Sequence, residues 1–161
     1  MDATALAQSS LAIQFHVACA VLALLIGTLM LFWKKGTALH KGLGRLWIGL
    51  MLGVSLSSFF INEIRLLGPY SPIHVLSLFT LLGLWSGWRA IRAGDVRSHR
   101  MSMTAVFSGG LIGAGLFTLI PGRIMYRTVF ADGGATALLL AVTIAAALIA
   151  LHYQRRQRLA Q

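Results

Sequence analysis

Apolar positions along this chain come in long runs, not in the narrow stripe of a soluble amphipathic helix or the alternation of a half-buried strand. A hydrocarbon core about 30 Å thick takes about 20 mostly apolar residues to cross as a helix. Five segments meet that requirement, near 11–33, 46–67, 73–91, 101–120 and 135–153. The fold they predict is an all-α integral membrane protein, one membrane domain over residues 1–161. Spans one to four would form a four-helix bundle, because each must satisfy its backbone internally and pack small faces on its neighbours. The fifth span has no glycine face and no buried polar residue, so it is expected at the periphery.

Polar residues punctuate the runs. Thr37 is placed to cap the helix that carries His40, and Ser71 with Pro72 at the first helical position opens span three. Gly94 and Asp95 stop that span and cap the next, while Pro121-Gly122 ends span four and starts an outer loop that runs to Gly134. Gly49 and Gly53, Gly83 and Gly87, and Gly109 and Gly113 each have the GxxxG spacing that lets helices approach closely. Either they serve helix packing, or some of them clear room for a flat cofactor.

Composition sharpens this picture. The chain is 57% hydrophobic and 11% charged with a formal net charge of +10, against roughly 45–50% apolar and 25% charged in soluble domains. On a soluble chain such a charge would suggest nucleic acid. Here Lys34, Lys35, Lys41, Arg45, Arg89, Arg92, Arg97, Arg100, Arg155, Arg156 and Arg158 all fall on one side of the expected membrane. Only Arg65, Arg123 and Arg127 fall on the other, with Asp2, Glu63 and Asp132. The positive-inside rule then puts the amino terminus outside and the carboxyl terminus in the cytoplasm, with lipid and not nucleic acid as the partner. MDATALAQSS, ahead of the first span, lacks the positive charge of a signal peptide. A single cysteine, Cys19, excludes a disulfide framework and a thiolate metal cluster.

Four histidines carry the candidate chemistry. His16 and His74 lie at outer ends of spans one and three, and His40 and His99 at inner ends of the helices that carry spans two and four. Alternate helices of a bundle face each other across its core. Two layers of paired imidazoles would suit two b-type haems with one histidine on each axial face, the irons roughly 20–25 Å apart by helix rise. Propionates would find Lys41, Arg45, Arg97 and Arg100 inside, and Arg65 and Arg123 outside. The bland alternative is that helix-start histidines alternate sides as helices alternate direction and rest at headgroup depth. His152 has no layer partner and reads as interfacial.

Other chemistry has less to stand on. The HRMSM string joins His99 to Met101 and Met103, soft ligands suited to Cu(I), but His99 and Met101 are two apart and point to different helix faces. Asn62, Glu63 and Arg65 close span two after Ser55, Ser57 and Ser58, where they would mark a substrate or proton site or be solvated at the interface, and Glu63 could pair with Arg123. Trp33, Trp47, Tyr70, Trp85, Trp88 and Tyr126 read as an aromatic belt. Neither a P-loop nor a GxSxG or HExxH motif is present, which leaves ATPase and hydrolase readings unsupported.

The strings LHKGLGRLWIGLMLGVSLSSFFI, SPIHVLSLFTLLGLWSGWRAIRAGDVRSHRMSM and GLFTLIPGR resemble a bacterial family of multi-pass membrane proteins classed as a domain of unknown function. The resemblance covers about residues 10–125 and puts His40, Gly44, Arg45, His74, His99, Arg100 and Arg123 at family motif positions. More distantly, the layered histidines and the H-x-x-x-G string at His40–Gly44 resemble transmembrane dihaem b-type cytochromes. That resemblance implies His16 and His74 on an outer haem, His40 and His99 on an inner one, and a quinone or small redox partner. The inner histidines lie nearer the loops than buried ligands would. Competing expectations without haem are a non-enzymatic subunit of a larger membrane complex and a small-molecule transporter component.

Overall fold

The computed structural model describes residues 6–61 and 72–130, and positions 141, 142, 145 and 149. The described residues are helical, with no strand among them. Helix α1 spans Leu11–Phe32, α2 Ala38–Ser58, α3 Pro72–Arg92 and α4 Val96–Ala105. A π-helical stretch, Val106–Gly113, continues α4 into α5, Ala114–Thr118, and α6 spans Ile124–Phe130. Two units result, Ser9–Phe117 and Met1–Gln8 with Thr118–Gln161.

Local chemistry sets the helix ends. The Ile13 amide donates to the Ser10 hydroxyl at 3.4 Å, and the His40 amide to that of Thr37 at 3.2 Å. The Ser98 amide donates to the Asp95 carboxylate at 2.9 Å. At the far end of α3, Gly94 takes φ +81, the left-handed conformation that glycine adopts without a Cβ clash. It lets the Asp95 amide reach back to the Ala90 carbonyl at 2.9 Å and the Gly94 amide to Ile91 at 3.2 Å, the paired bonds of a Schellman end. Thr37, Pro72, Gly94 and Asp95 therefore act where the sequence places them. Ser71 lies outside the described residues.

Boundaries shift at two spans. The second helix starts at Ala38, because the Thr37 cap admits the HKGLGR turn into it, and it closes at Ser58. The fourth starts at Val96, directly after the Asp95 cap. Beyond Pro121, the expected outer loop contains α6, supported by the Tyr126 and Phe130 rings packed one turn apart at 4.7 Å. Most of the expected fifth span, and Asn62, Glu63, Arg65 and His152, lie outside the described residues.

Within Ser9–Phe117, α1 packs along α2, α2 along α3, and α3 along α4 and the π stretch, which returns to α1. This ring leaves α1 and α3 on one diagonal and α2 and α4 on the other. Its core takes Ala23 from α1, Trp47 and Met51 from α2, Leu84 from α3, and Val106, Phe107 and Leu111 from the π stretch. The Trp47 indole N–H donates to the Ala23 carbonyl at 2.9 Å.

Helix α1 shows the solvent this bundle suits. Its buried stripe is Cys19, Ala23 and Gly27, small residues four apart. Its large side chains face outward, with Leu25 58% and Leu29 56% exposed. In water each would forfeit roughly 1.5–3 kcal/mol of burial. In lipid, small faces pack and large ones meet the chains. Leu11–Phe32 and Val96–Thr118 are long and apolar enough to cross a membrane by length and composition. Helices α2 and α3 are as long as α1 to within a residue, but His40, Lys41 and Arg45 in one, and His74, Arg89 and Arg92 in the other, dilute their apolar content.

Candidate functional site: histidines at the two ends of the bundle

The end that carries His40 and His99, expected inside, is the better built. His99, in the first turns of α4, places Nδ1 2.9 Å from the Gly87 carbonyl of α3. A carbonyl only accepts, so Nδ1 carries a proton; in the neutral ring Nε2 then keeps its lone pair, the tautomer by which a histidine ligates a metal through Nε2. His40, on the diagonal helix α2, has its Nδ1 buried with no hydrogen-bond partner. Its ring lies within electrostatic reach of His99 and of Lys35.

The glycines beside these histidines are covered in a distinctive way. A Cβ at Gly44, one turn after His40, would meet Met30 Cε at 3.4 Å. A Cβ at Gly87 would run into Met103. The nearest cover in each case is a thioether chain, the most adaptable apolar filler, although Gly87 also faces Ser102 Cβ at 3.1 Å. Deeper in the bundle the covers are rigid. A Cβ at Gly27 would sit 2.6 Å from the Phe107 ring and 2.8 Å from Trp47 Nε1, and one at Gly83 2.5 Å from Val106. Among the described glycines, the covers able to swing aside are thus the methionines at Gly44 and Gly87, and the mid-bundle glycines serve packing. Gly49 and Gly109 meet nothing within 4 Å, so of the three GxxxG pairs only Gly83 and Gly87 pack as a pair against other helices.

Charge at this end is basic. Lys35 donates to the Leu31 carbonyl at 2.9 Å and the Trp33 carbonyl at 3.1 Å, and also to Met30, closing the last turn of α1. Burial, and then the Arg100 guanidinium, lower its ammonium below the ordinary lysine range. Asp95, in the neighbouring turn, is held below the usual carboxylate range by its bonds to Ser98 and stays committed to the cap. Arg45 is exposed on α2. Met101 is exposed while Met103 packs inward, so the HRMSM string does not converge on one point.

At the opposite end, His16 Nδ1 lies 3.0 Å from the Ser57 hydroxyl of α2. Ser57 has one hydrogen and donates it to the Gly53 carbonyl at 2.6 Å, with Val54 at 3.0 Å. Its oxygen is therefore free to accept from His16 Nδ1. The His74 ring stacks on Phe59 at 5.5 Å and 15°. Both outer histidines are thus seated on the carboxyl-terminal end of α2. Arg123 stands at the start of α6 in the other unit, and Arg65 lies outside the described residues.

Sequence reasoning missed the polar seam behind this layer. Ser55, Ser58, Ser77 and Thr80 are all buried. Ser58 and Ser77 meet oxygen to oxygen at 2.6 Å across α2 and α3, and each also faces a carbonyl of its own helix, Ser55 and Ile73. Two hydrogens serve three contacts, so this pair can reverse its donor direction. The i, i+3 spacing of Ser55 with Ser58, and of Ser77 with Thr80, was the available signal.

A family described as predicted membrane protein (DUF2306) matches residues 13–154. The chain belongs to this family. The DUF2306 description assigns no activity, but its span takes in all four layered histidines and the whole of α1 beyond its first turn. No curated protein and no solved structure matches the chain.

Proposed function

We propose that this DUF2306 member is a multi-pass inner-membrane protein that carries b-type haem between paired histidines and passes electrons across the bilayer. In this reading five helices cross, with the amino terminus outside and the carboxyl terminus in the cytoplasm. The observation that carries it is the inner pair. His99 Nδ1 donates to the Gly87 carbonyl, which in the neutral ring leaves Nε2 its lone pair, and His40, on a helix that packs little against α4, has a buried Nδ1 with no partner. Six-coordinate haem iron takes one neutral imidazole from each side.

Haem, when bound, supplies a one-electron couple. The chain supplies ligands, orientation and charge. His40 and His99 would hold the inner group, with Met30 and Met103 swinging off Gly44 and Gly87 to admit the ring. Arg45, Arg100 and Lys35 offer cations to its propionates and favour the approach of an anionic reductant or a quinol headgroup. His16, oriented by Ser57, and His74, resting on Phe59, would hold the outer group. A subunit role is a second reading, favoured by Gly49 and Gly109, which open away from the bundle.

The test is a reduced-minus-oxidised spectrum of protein purified after expression with ample haem. b-type bands are expected, with His99→Ala removing one population, His74→Ala the other and His152→Ala neither. A colourless protein would sink the electron-carrier reading. A stoichiometric partner co-purifying with that colourless protein would favour the subunit role.

A further inference from the structure

We infer that the inner end of α3 carries a binding site for an anionic phospholipid, with Trp85 and Trp88 against its glycerol and acyl region and Arg89 and Arg92 on its phosphate. The inference rests on the bundle crossing the bilayer, not on haem. Trp85, Trp88, Arg89, Arg92 and Ala93 line a groove of about 410 Å³ on the outside of the bundle. The residues recur at i, i+3, i+4 and i+7, one helix face about 10 Å long.

Their order along α3 follows that of a phospholipid. Trp85, 62% exposed, lies deepest, Trp88 and Arg89 follow, and Arg92 stands at the helix end. Tryptophan settles at headgroup depth, and guanidinium binds phosphate oxygens with paired N–H donors. The groove is lined by two guanidiniums and no carboxylate. The nearest acid in sequence, Asp95, is committed to the cap of α4. A zwitterionic lipid would bring a cation against the same two arginines, so the charge selects an anionic headgroup.

The experiment is native mass spectrometry of the full chain in mild detergent, titrated with phosphatidylglycerol or phosphatidylcholine. Wild-type protein should retain one phosphatidylglycerol in preference to phosphatidylcholine. Arg89→Gln and Arg92→Gln should each lower that retention about tenfold, the loss of one charge-assisted contact. Trp85→Leu should lower it for both lipids, whereas Lys34→Gln, which removes one charge elsewhere, should leave it unchanged. Equal retention of the two lipids, or an equal loss in Lys34→Gln, would overturn the site in favour of diffuse attraction. Selective retention by a haem-free protein would support the lipid site while ending the electron-carrier reading. Recovery of the chain outside the membrane fraction would overturn both.

Discussion

Gly27 is the position where one added methyl group distinguishes interior packing from a generic small-residue pattern. In Gly27→Ala the new Cβ would lie 2.6 and 2.7 Å from two atoms of the Phe107 ring and 2.8 Å from Trp47 Nε1. Carbon contacts are comfortable at about 3.5–4.0 Å, so three atoms stand roughly 1 Å too close. Neither ring gives way cheaply. Both are buried, and Trp47 is tied to the Ala23 carbonyl. Overpacking of this kind costs roughly 1–3 kcal/mol. A loss of about 2 kcal/mol lowers the folded-to-unfolded ratio roughly thirtyfold. Gly49→Ala is the contrast, since its Cβ would meet nothing within 4 Å. It should gain about 0.5–1 kcal/mol by removing helical glycine. Thermal unfolding of both variants in the same detergent, followed by circular dichroism, makes the comparison. Shifts of the same sign and size would refute the placement of Phe107 and Trp47 over α1.

Trp47→Phe keeps an aromatic ring but removes the hydrogen bond to Ala23 and part of the buried indole, and should cost at least about 1 kcal/mol in the same unfolding assay. No change would mean the bond contributes nothing. Asp95→Ala should fray the first turn of α4, speed amide exchange at Ser98 and loosen His99, while Asp95→Asn keeps a capping oxygen and should not. Because the Asp95 carboxyl is held below its ordinary range, this cap contributes fully above the usual carboxylate range and is lost as pH falls through the lowered value. Equal exchange in both variants would contradict the cap. Arg100→Gln removes a cation that lowers Lys35, so pH-dependent acylation of Lys35 should shift upward toward ordinary lysine behaviour. The neutral amine is favoured in the fold, so stability should rise as pH climbs through the lowered pKa toward the ordinary value, more in wild type than in this variant. An unmoved Lys35 profile would place Arg100 elsewhere.

The helix starts were legible because single side chains set them. Thr37, Pro72, Gly94 and Asp95 act within one turn, where sequence distance and spatial distance agree. The histidine layers were legible for the same reason, since helix direction alone sends His16 and His74 one way and His40 and His99 the other. Helix rotation was not legible. The spacing of Gly49 and Gly53 matches that of Gly83 and Gly87, yet Gly49 opens outward while Gly87 sits under Met103. The relative standing of the two layers also changed. Proximity to the loops counted against His40 and His99 in the sequence, but the Gly87 carbonyl and the methionine covers make theirs the better prepared end. Ser77 and Thr80 passed as ordinary span residues because their partners come from α2 or from their own helix turn. The expected Glu63–Arg123 pair falls on a residue outside those described.

On the proposed function, imidazoles from diagonal helices would ligate haem iron, His40 and His99 together. Electron paramagnetic resonance of the oxidised, purified protein tests it most directly. Low-spin ferric signals of bis-imidazole ligation are expected, one of them lost in His40→Ala and in His99→Ala alike. A spectrum with no ferric haem signal, or one unchanged in both variants, would contradict it.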